Sequence, residues 1–164
     1  RNRPRWGFPI RDNSGDDPDF WNKIHMMLVR AYLAPSAIEG LGVFSRDDIK
    51  KGDLIWRFDA RLDQLIPRET IAELDGPTRA FVERYGYDMS NHPDHIALDA
   101  DEGRFMNHSE MPNTDFSHPE FGFALRDIPA GTELTCDYRE FTIGELLFLP
   151  SRHAVGELVG LALN

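Results

Sequence analysis

The sequence predicts a mostly-β domain in which helices are inserts, and three observations carry that expectation. Short apolar runs rich in β-branched and aromatic residues, such as Met27-Leu28-Val29 and Val43-Phe44, recur between glycines and prolines. Two stretches, 42–55 and 122–134, echo each other, and helical spacing is confined to Pro67–Tyr85 and to the region after Thr142. With 164 residues, 41% of them hydrophobic, the chain suits one globular domain with a substantial core.

Residues 1–22 are rich in Arg, Pro, Gly and Asp, with Trp6 and Phe8 as aromatic exceptions, and read as an extended arm preceding a domain at 23–141. From Ile24 the pattern turns apolar through Met27-Leu28-Val29 and Tyr32-Leu33 to Pro35, which fits a first strand. Gly40 and Gly42 then permit a tight turn into Val43-Phe44. In each echoing stretch a strand leads to an Asp-Ile corner (Asp48-Ile49, Asp127-Ile128), a glycine turn and a second strand. We read these as two similar hairpin units whose isoleucines plug a core, and two copies are too few for a solenoid. The insert, about 66–86, opens at Ile66-Pro67 and is broken in two by Gly76-Pro77, with Phe81, Val82 and Tyr85 on one helical face. Thr142-Ile143-Gly144-Glu145 has the form of a capping box and starts a helix stopped by Pro150. With Val155, Leu158, Val159 and Leu161 beyond it, 142–164 is expected to be a helical segment packed on the core.

A single cysteine, Cys136, excludes an internal disulfide framework and a multi-cysteine zinc site, which points to an intracellular, reducing compartment: the cytoplasm, or the nucleus if the source is eukaryotic. A net charge of −10 argues against direct nucleic-acid binding and is compatible with attraction of basic peptide segments. There is neither a run long and apolar enough for a membrane span nor a basic-then-apolar leader, so no membrane partner is expected. The first residue is Arg1, so a preceding residue or segment is expected to be missing.

The chemistry concentrates in loops. Arg104-Phe105-Met106-Asn107-His108-Ser109 follows an apolar step with an amide, an imidazole and a hydroxyl, and Pro112-Asn113 turns the chain immediately after. His92-Pro93-Asp94-His95 reads as a solvated turn, because the proline opposes the helix that would align two metal-binding imidazoles; no metal site is expected. Cys136 has no histidine or basic group nearby in sequence to activate it as a nucleophile.

Three segments in this order, Glu39-Gly40-Leu41-Gly42, Arg104 to Ser109 with Pro112-Asn113, and Glu133-Leu134-Thr135-Cys136-Asp137-Tyr138, resemble the SET-domain family of protein lysine methyltransferases over roughly residues 25–141. The resemblance implies a SET β-clip fold with the C-terminal segment threaded beneath a loop as a pseudoknot. It also implies S-adenosylmethionine as cofactor, S-adenosylhomocysteine as product, and a protein substrate that presents an accessible lysine in a basic segment. By the same resemblance Tyr138 is the catalytic tyrosine, and Glu39, Gly40, Leu41, Gly42, Tyr87, Arg104, Phe105, Asn107 and His108 contact the cofactor. Phe58, Tyr87, Cys136, Tyr138 and Phe141 would then line the lysine channel, with Phe141 and Phe148 as lids.

Methyl transfer to lysine needs the neutral amine, and a dry, aromatic-walled channel beside a sulfonium lowers the amine's pKa by desolvation and by like charge. The chain departs from the family pattern at three places: Phe58 and Cys136 stand where tyrosine is common, and the connection Asp101-Glu102-Gly103 is short. No cysteine-rich zinc segment follows Tyr138. These departures favour the alternative of a non-catalytic SET-like module that binds a basic peptide or the cofactor, whereas Tyr138, Asn107 and His108 together favour an enzyme.

Overall fold

A computed structural model of the chain describes residues 26–142. The expected arm, Ile24, and the helical segment from Ile143 with Phe148 and Leu161 lie outside the described residues. Ten strands, β1 (Ala31–Pro35), β2 (Leu41–Ser45), β3 (Leu54–Arg57), β4 (Gln64–Pro67), β5 (Tyr87–Asp88), β6 (His95–Leu98), β7 (Asn107–His108), β8 (Thr114–His118), β9 (Phe121–Ala124) and β10 (Glu133–Cys136), form three small sheets ordered β1-β2-β10-β7, β3-β9-β8 and β4-β6-β5.

The two echoing stretches are not hairpins. β2 pairs with β10 and β3 with β9, so each unit sends its two strands into different sheets and takes its partners from the other unit. Ile49 and Ile128 meet as reciprocal partners, each amide donating to the other's carbonyl at 2.8 Å. Equivalent side-chain bonds flank them: Lys51 N donates to Asp127 and Ala130 N to Asp48, both at 2.9 Å. Gly52 and Gly131, with φ of +85° and +79°, turn the chain after each isoleucine. An aspartate-isoleucine corner spans too many residues for a tight hairpin loop, so the two copies satisfy each other.

The first strand is shorter than expected. β1 starts at Ala31, while Met27 bridges Trp56 and Leu28 N donates to Ile55 O at 2.7 Å, so one apolar run serves two sheets. The insert forms α1 (Arg68–Glu73) and α2 (Gly76–Tyr85), with the break at Leu74-Asp75 rather than at Gly76-Pro77. Asp75 caps α2 by accepting from Thr78 N, and a proline is tolerated in the first turn, so the Gly-Pro pair opens the second helix. Of the predicted face only Val82 is buried; Phe81 stays 42% exposed. Residues Glu102–Phe105 form a 3-10 turn leading into β7.

The core gathers Val43, Ile49, Ile55, Trp56, Ile128 and Leu134 from the two interlocked units, with Met106 and Cys136 from the loops beside them. β10 lies between β2 and β7, parallel to β7, with Thr135 opposite Asn107 and Cys136 opposite His108. That pairing brings the Asn-His loop and the strand leading to Tyr138 side by side. Among the described residues no helix is long and apolar enough to cross a membrane.

Candidate active site

The first wall is the Gly40–Gly42 turn. Gly40 has φ of +52°, a conformation that side chains disfavour. Gly42 is required by crowding instead: a Cβ there would overlap Glu133 Oε1. Glu133 in turn accepts from Ser36 Oγ at 2.8 Å and from Asn107 Nδ2 at 2.8 Å, and Asn107 Nδ2 also lies 3.1 Å from the carbonyls of Glu39 and Leu41. Asn107 therefore fastens β7 to the glycine turn through its amide nitrogen. Gly42→Ala is expected to cost about 1–3 kcal/mol, the usual penalty of overpacking, read as a lower melting temperature. A melting curve matching wild type would show that Glu133 yields without consequence.

Asn113 locks the far side. Its Nδ2 donates to Glu133 O at 2.7 Å and its Oδ1 accepts from Thr135 N at 2.8 Å, while the side chain is buried. The Pro-Asn pair read from sequence as a turn is thus also a clamp on β10.

Two cavities, each of about 420 Å³, meet in this region. Glu39, Gly40, Leu41, Phe105 and Asn107 line the first, and Arg104 and Tyr138 line both. Tyr87, Cys136 and Phe141 line the second. Of the expected site residues, Gly42, His108 and Phe58 line neither cavity; Gly42 is set back behind the turn it shapes.

Tyr138 stands on the shared wall. Its hydroxyl donates to Met106 O at 2.9 Å, and burial raises its pKa above the usual phenol value, so it is a neutral hydroxyl with a lone pair facing outward from that bond. His108 is held behind it: its Nδ1 accepts from Tyr138 N at 3.2 Å and its ring packs on the tyrosine at 5.3 Å between centroids. It is a backing for Tyr138. Phe58 packs against the core instead of lining the second cavity, and the aromatic wall comes from Trp56 and Phe116, 5.7 Å apart. Trp56 lies within β3 and Phe58 just past its end at Arg57, so the alternation that would place both on one side no longer governs Phe58.

The Cys136 thiol is pushed up in pKa by burial and then by the neighbouring carboxylates of Glu140, Asp137 and Asp99, which leaves it protonated and a poor nucleophile. The Tyr87 hydroxyl is committed to Asp99 Oδ1 at 2.8 Å. Phe141 packs edge-on against Tyr87 at 5.5 Å and tilts against Tyr138 at 5.7 Å, closing an aromatic ring around the second cavity.

Sequence reasoning missed several groups. Arg84 and Tyr85, at the end of α2, line both cavities; Tyr85, expected on the helix face and in the core, instead packs edge-on against Phe105 at 5.4 Å. Arg84 is ion-paired with Glu39 at 2.8 Å. The helical spacing of Tyr85 with Phe81 signals their 5.1 Å ring contact, but it carries no information on what lies across the cavity. His92 and His95 have ring centroids 6.2 Å apart, and no group of three or more His, Cys, Asp or Glu among the described residues is placed to hold a metal ion.

The first cavity fits a polar, partly aromatic ligand of nucleoside size. Arg104 uses Nε on the Asp101 carbonyl at 3.1 Å and has no ion pair among the described residues, leaving a cation for a carboxylate. Phe105 and Tyr85 supply aromatic surface, and the glycine turn lets backbone approach closely.

Two comparisons bear on these observations. The family model described as the SET domain matches residues 40–139. A crystal structure from Plasmodium falciparum, titled as a "putative histone methyltransferase", is 23% identical, with 70% of this chain and 95% of that chain covered and a TM-score of 0.48.

Proposed function

Because the chain belongs to the SET-domain family, we propose that it transfers a methyl group from S-adenosylmethionine to the side-chain amine of a lysine in a protein substrate. The observation that carries this reading is Tyr138, whose neutral hydroxyl stands on the wall shared by a polar cavity and an aromatic one.

In this reading the first cavity holds the cofactor, with the glycine turn and Asn107 against it, Arg104 facing its carboxylate, and Phe105 with Tyr85 against its base. The cofactor, when bound, supplies a methyl group already activated by its sulfonium. The protein's work is to position, desolvate and orient. The second cavity takes the lysine, its aliphatic stem against Phe116, Phe141 and Trp56. Tyr138 accepts weak C–H bonds from the methyl group and aligns the amine, an interaction strongest in the transition state. A chain of net charge −10 favours a substrate segment that is basic.

The test is a thermal-shift titration with S-adenosylmethionine followed by radiolabelled methyl transfer to mixed basic proteins. A ligand at a hundred times its Kd stabilises by about 2.7 kcal/mol, an easily read shift. Binding without transfer to any substrate would favour the non-catalytic module, and no binding would overturn the reading.

The number of methyl groups rests on Cys136. Its small thiol holds an ordered water poorly where a tyrosine hydroxyl would hold one, leaving room for a second and third methyl. Di- or trimethylated product is expected by mass spectrometry under excess cofactor, and Cys136→Tyr is expected to shift it toward monomethylation. Wild-type product stopping at one methyl group, unchanged in the variant, would sink the idea.

A further inference from the structure

The lining of the second cavity includes three acidic residues, Glu83, Asp88 and Asp99, beside four arginines, which an aromatic lysine channel does not require. Asp99 lines the cavity with 7% of its surface exposed, and Tyr87 donates to its Oδ1. Its Oδ2 packs against Gly103, 2.9 Å from where a Cβ would stand, and Trp56 Nε1 packs against the same point at 3.2 Å, so no side chain fits there. That indole nitrogen is fully buried and has no hydrogen-bond partner among the described residues. An unpartnered buried donor and a carboxylate oxygen thus stand close together in the lining of one cavity, where a small polar group would satisfy the donor.

The other acidic side chains of the cavity are occupied: Asp88 is ion-paired with Arg68, and Glu83 lies 2.9 Å from Arg79. Asp99 has no ion pair among the described residues. The groups around it are Tyr87 on β5, Asp101 and Arg104 on the turn after β6, Asp63 before β4, and Cys136 on β10.

Resting on the lysine methyl-transfer reading, we propose that Asp99 is the proton acceptor for the substrate ammonium, directly or through one water held by Trp56 Nε1.

The transfer converts lysine ammonium and Asp99 carboxylate into neutral amine and neutral carboxylic acid. In a dry cavity this exchange removes two buried charges, and a sulfonium alongside further disfavours the ammonium. The amine's lone pair then forms the N–C bond, the S–C bond breaks with its electrons kept by sulfur, and the product leaves as a methylated ammonium. Asp99 returns its proton to solvent past the half-buried Asp101. Burial, together with the negative charges of Asp101 and Asp63, raises the Asp99 pKa well above the ordinary carboxylate range, which brings it toward that of its proton donor. The other groups within the cavity are poorer acceptors: burial raises Tyr138 and Cys136 from ordinary values already far above a carboxyl's, so both start protonated, and Tyr87 already donates to Asp99.

Asp99→Asn keeps an acceptor for the Tyr87 hydroxyl and removes the base. In wild type the acid limb of kcat/KM follows the Asp99 pKa; in the variant only lysine that is already deprotonated reacts, and since a free lysine amine titrates at about 10.4, the limb moves to higher pH. We expect kcat/KM about a hundredfold lower at pH 7 and close to wild type near pH 10, with unchanged cofactor affinity by calorimetry. Parallel pH profiles would overturn the role of Asp99 alone, since a merely structural residue lowers the rate equally at every pH. A second readout needs neither substrate nor cofactor: carboxyl 13C NMR of the wild-type protein, with Asp99 assigned through its backbone. Titration near the ordinary value of about 4 would overturn the proposal even if the variant failed to fold. A wild type that binds cofactor and methylates nothing would overturn the methyl-transfer reading, and this role with it.

Discussion

Tyr138→Phe is expected to lose most methyl transfer while retaining the fold and cofactor affinity. The hydroxyl's one bond among the described residues is to the Met106 carbonyl, a contact worth about 0.5–1.5 kcal/mol, so its loss alone leaves the domain folded. The ring stays packed on His108 and Phe141. What disappears is an oxygen at the junction of the two cavities, where the proposed transfer develops partial positive charge. Removing one preorganised electrostatic contact of this kind lowers kcat by about a hundredfold or more. Since the interaction is made in the transition state, kcat and kcat/KM should fall together while KM for the cofactor stays put. Full methyl transfer by the variant would move the catalytic role away from Tyr138. Because the phenol pKa is raised, Tyr138 remains protonated through and beyond the physiological range, so it contributes no titration of its own to activity below pH 10.

Asn107→Ala is the second large effect, and here binding is what should fail. The amide nitrogen of Asn107 is the common donor to Glu39 O, Leu41 O and Glu133 Oε1, so it ties three segments far apart in sequence. Alanine leaves two loop carbonyls and a carboxylate without that donor, at about 1–3 kcal/mol for each buried group that water cannot reach. The glycine turn then loses its position against the first cavity. We expect cofactor affinity to fall by at least about tenfold, which corresponds to 1.4 kcal/mol, with a lower melting temperature. Calorimetry showing unchanged affinity would mean that the turn is held by Ser36 and Glu133 alone.

Certain features of this protein follow from short stretches of chain because the physics there is local. A residue at φ of +52° needs glycine, so Gly40 could be recognised with its neighbours alone, and the division of the insert into two helices could be read from Gly76-Pro77, though not the Asp75 cap that sets where the second one starts. The Asn107 loop and the strand leading to Tyr138 could be matched as motifs for the same reason, and the family match over 40–139 bears out that resemblance. The recurrence of Ile49 and Ile128 was visible too, but not that each completes the other, since hydrophobic pattern says which face is buried and not against what.

Partnership across the chain was decided by the tertiary structure. The pairing of β2 with β10 and β3 with β9 is a choice among edges of equal local propensity, and it settles which loops lie together. Trp56 and Phe116, rather than Phe58, became the aromatic wall because the end of β3 turns Phe58 onto the core. His108 became the support of Tyr138 because the parallel pairing of β7 with β10 puts Cys136 opposite it. An aspartate in the sequence carries no sign of its burial: Asp99 is an ordinary acid until Tyr87, Asp101 and Asp63 close around it, and the desolvation that raises its pKa exists only in the folded chain.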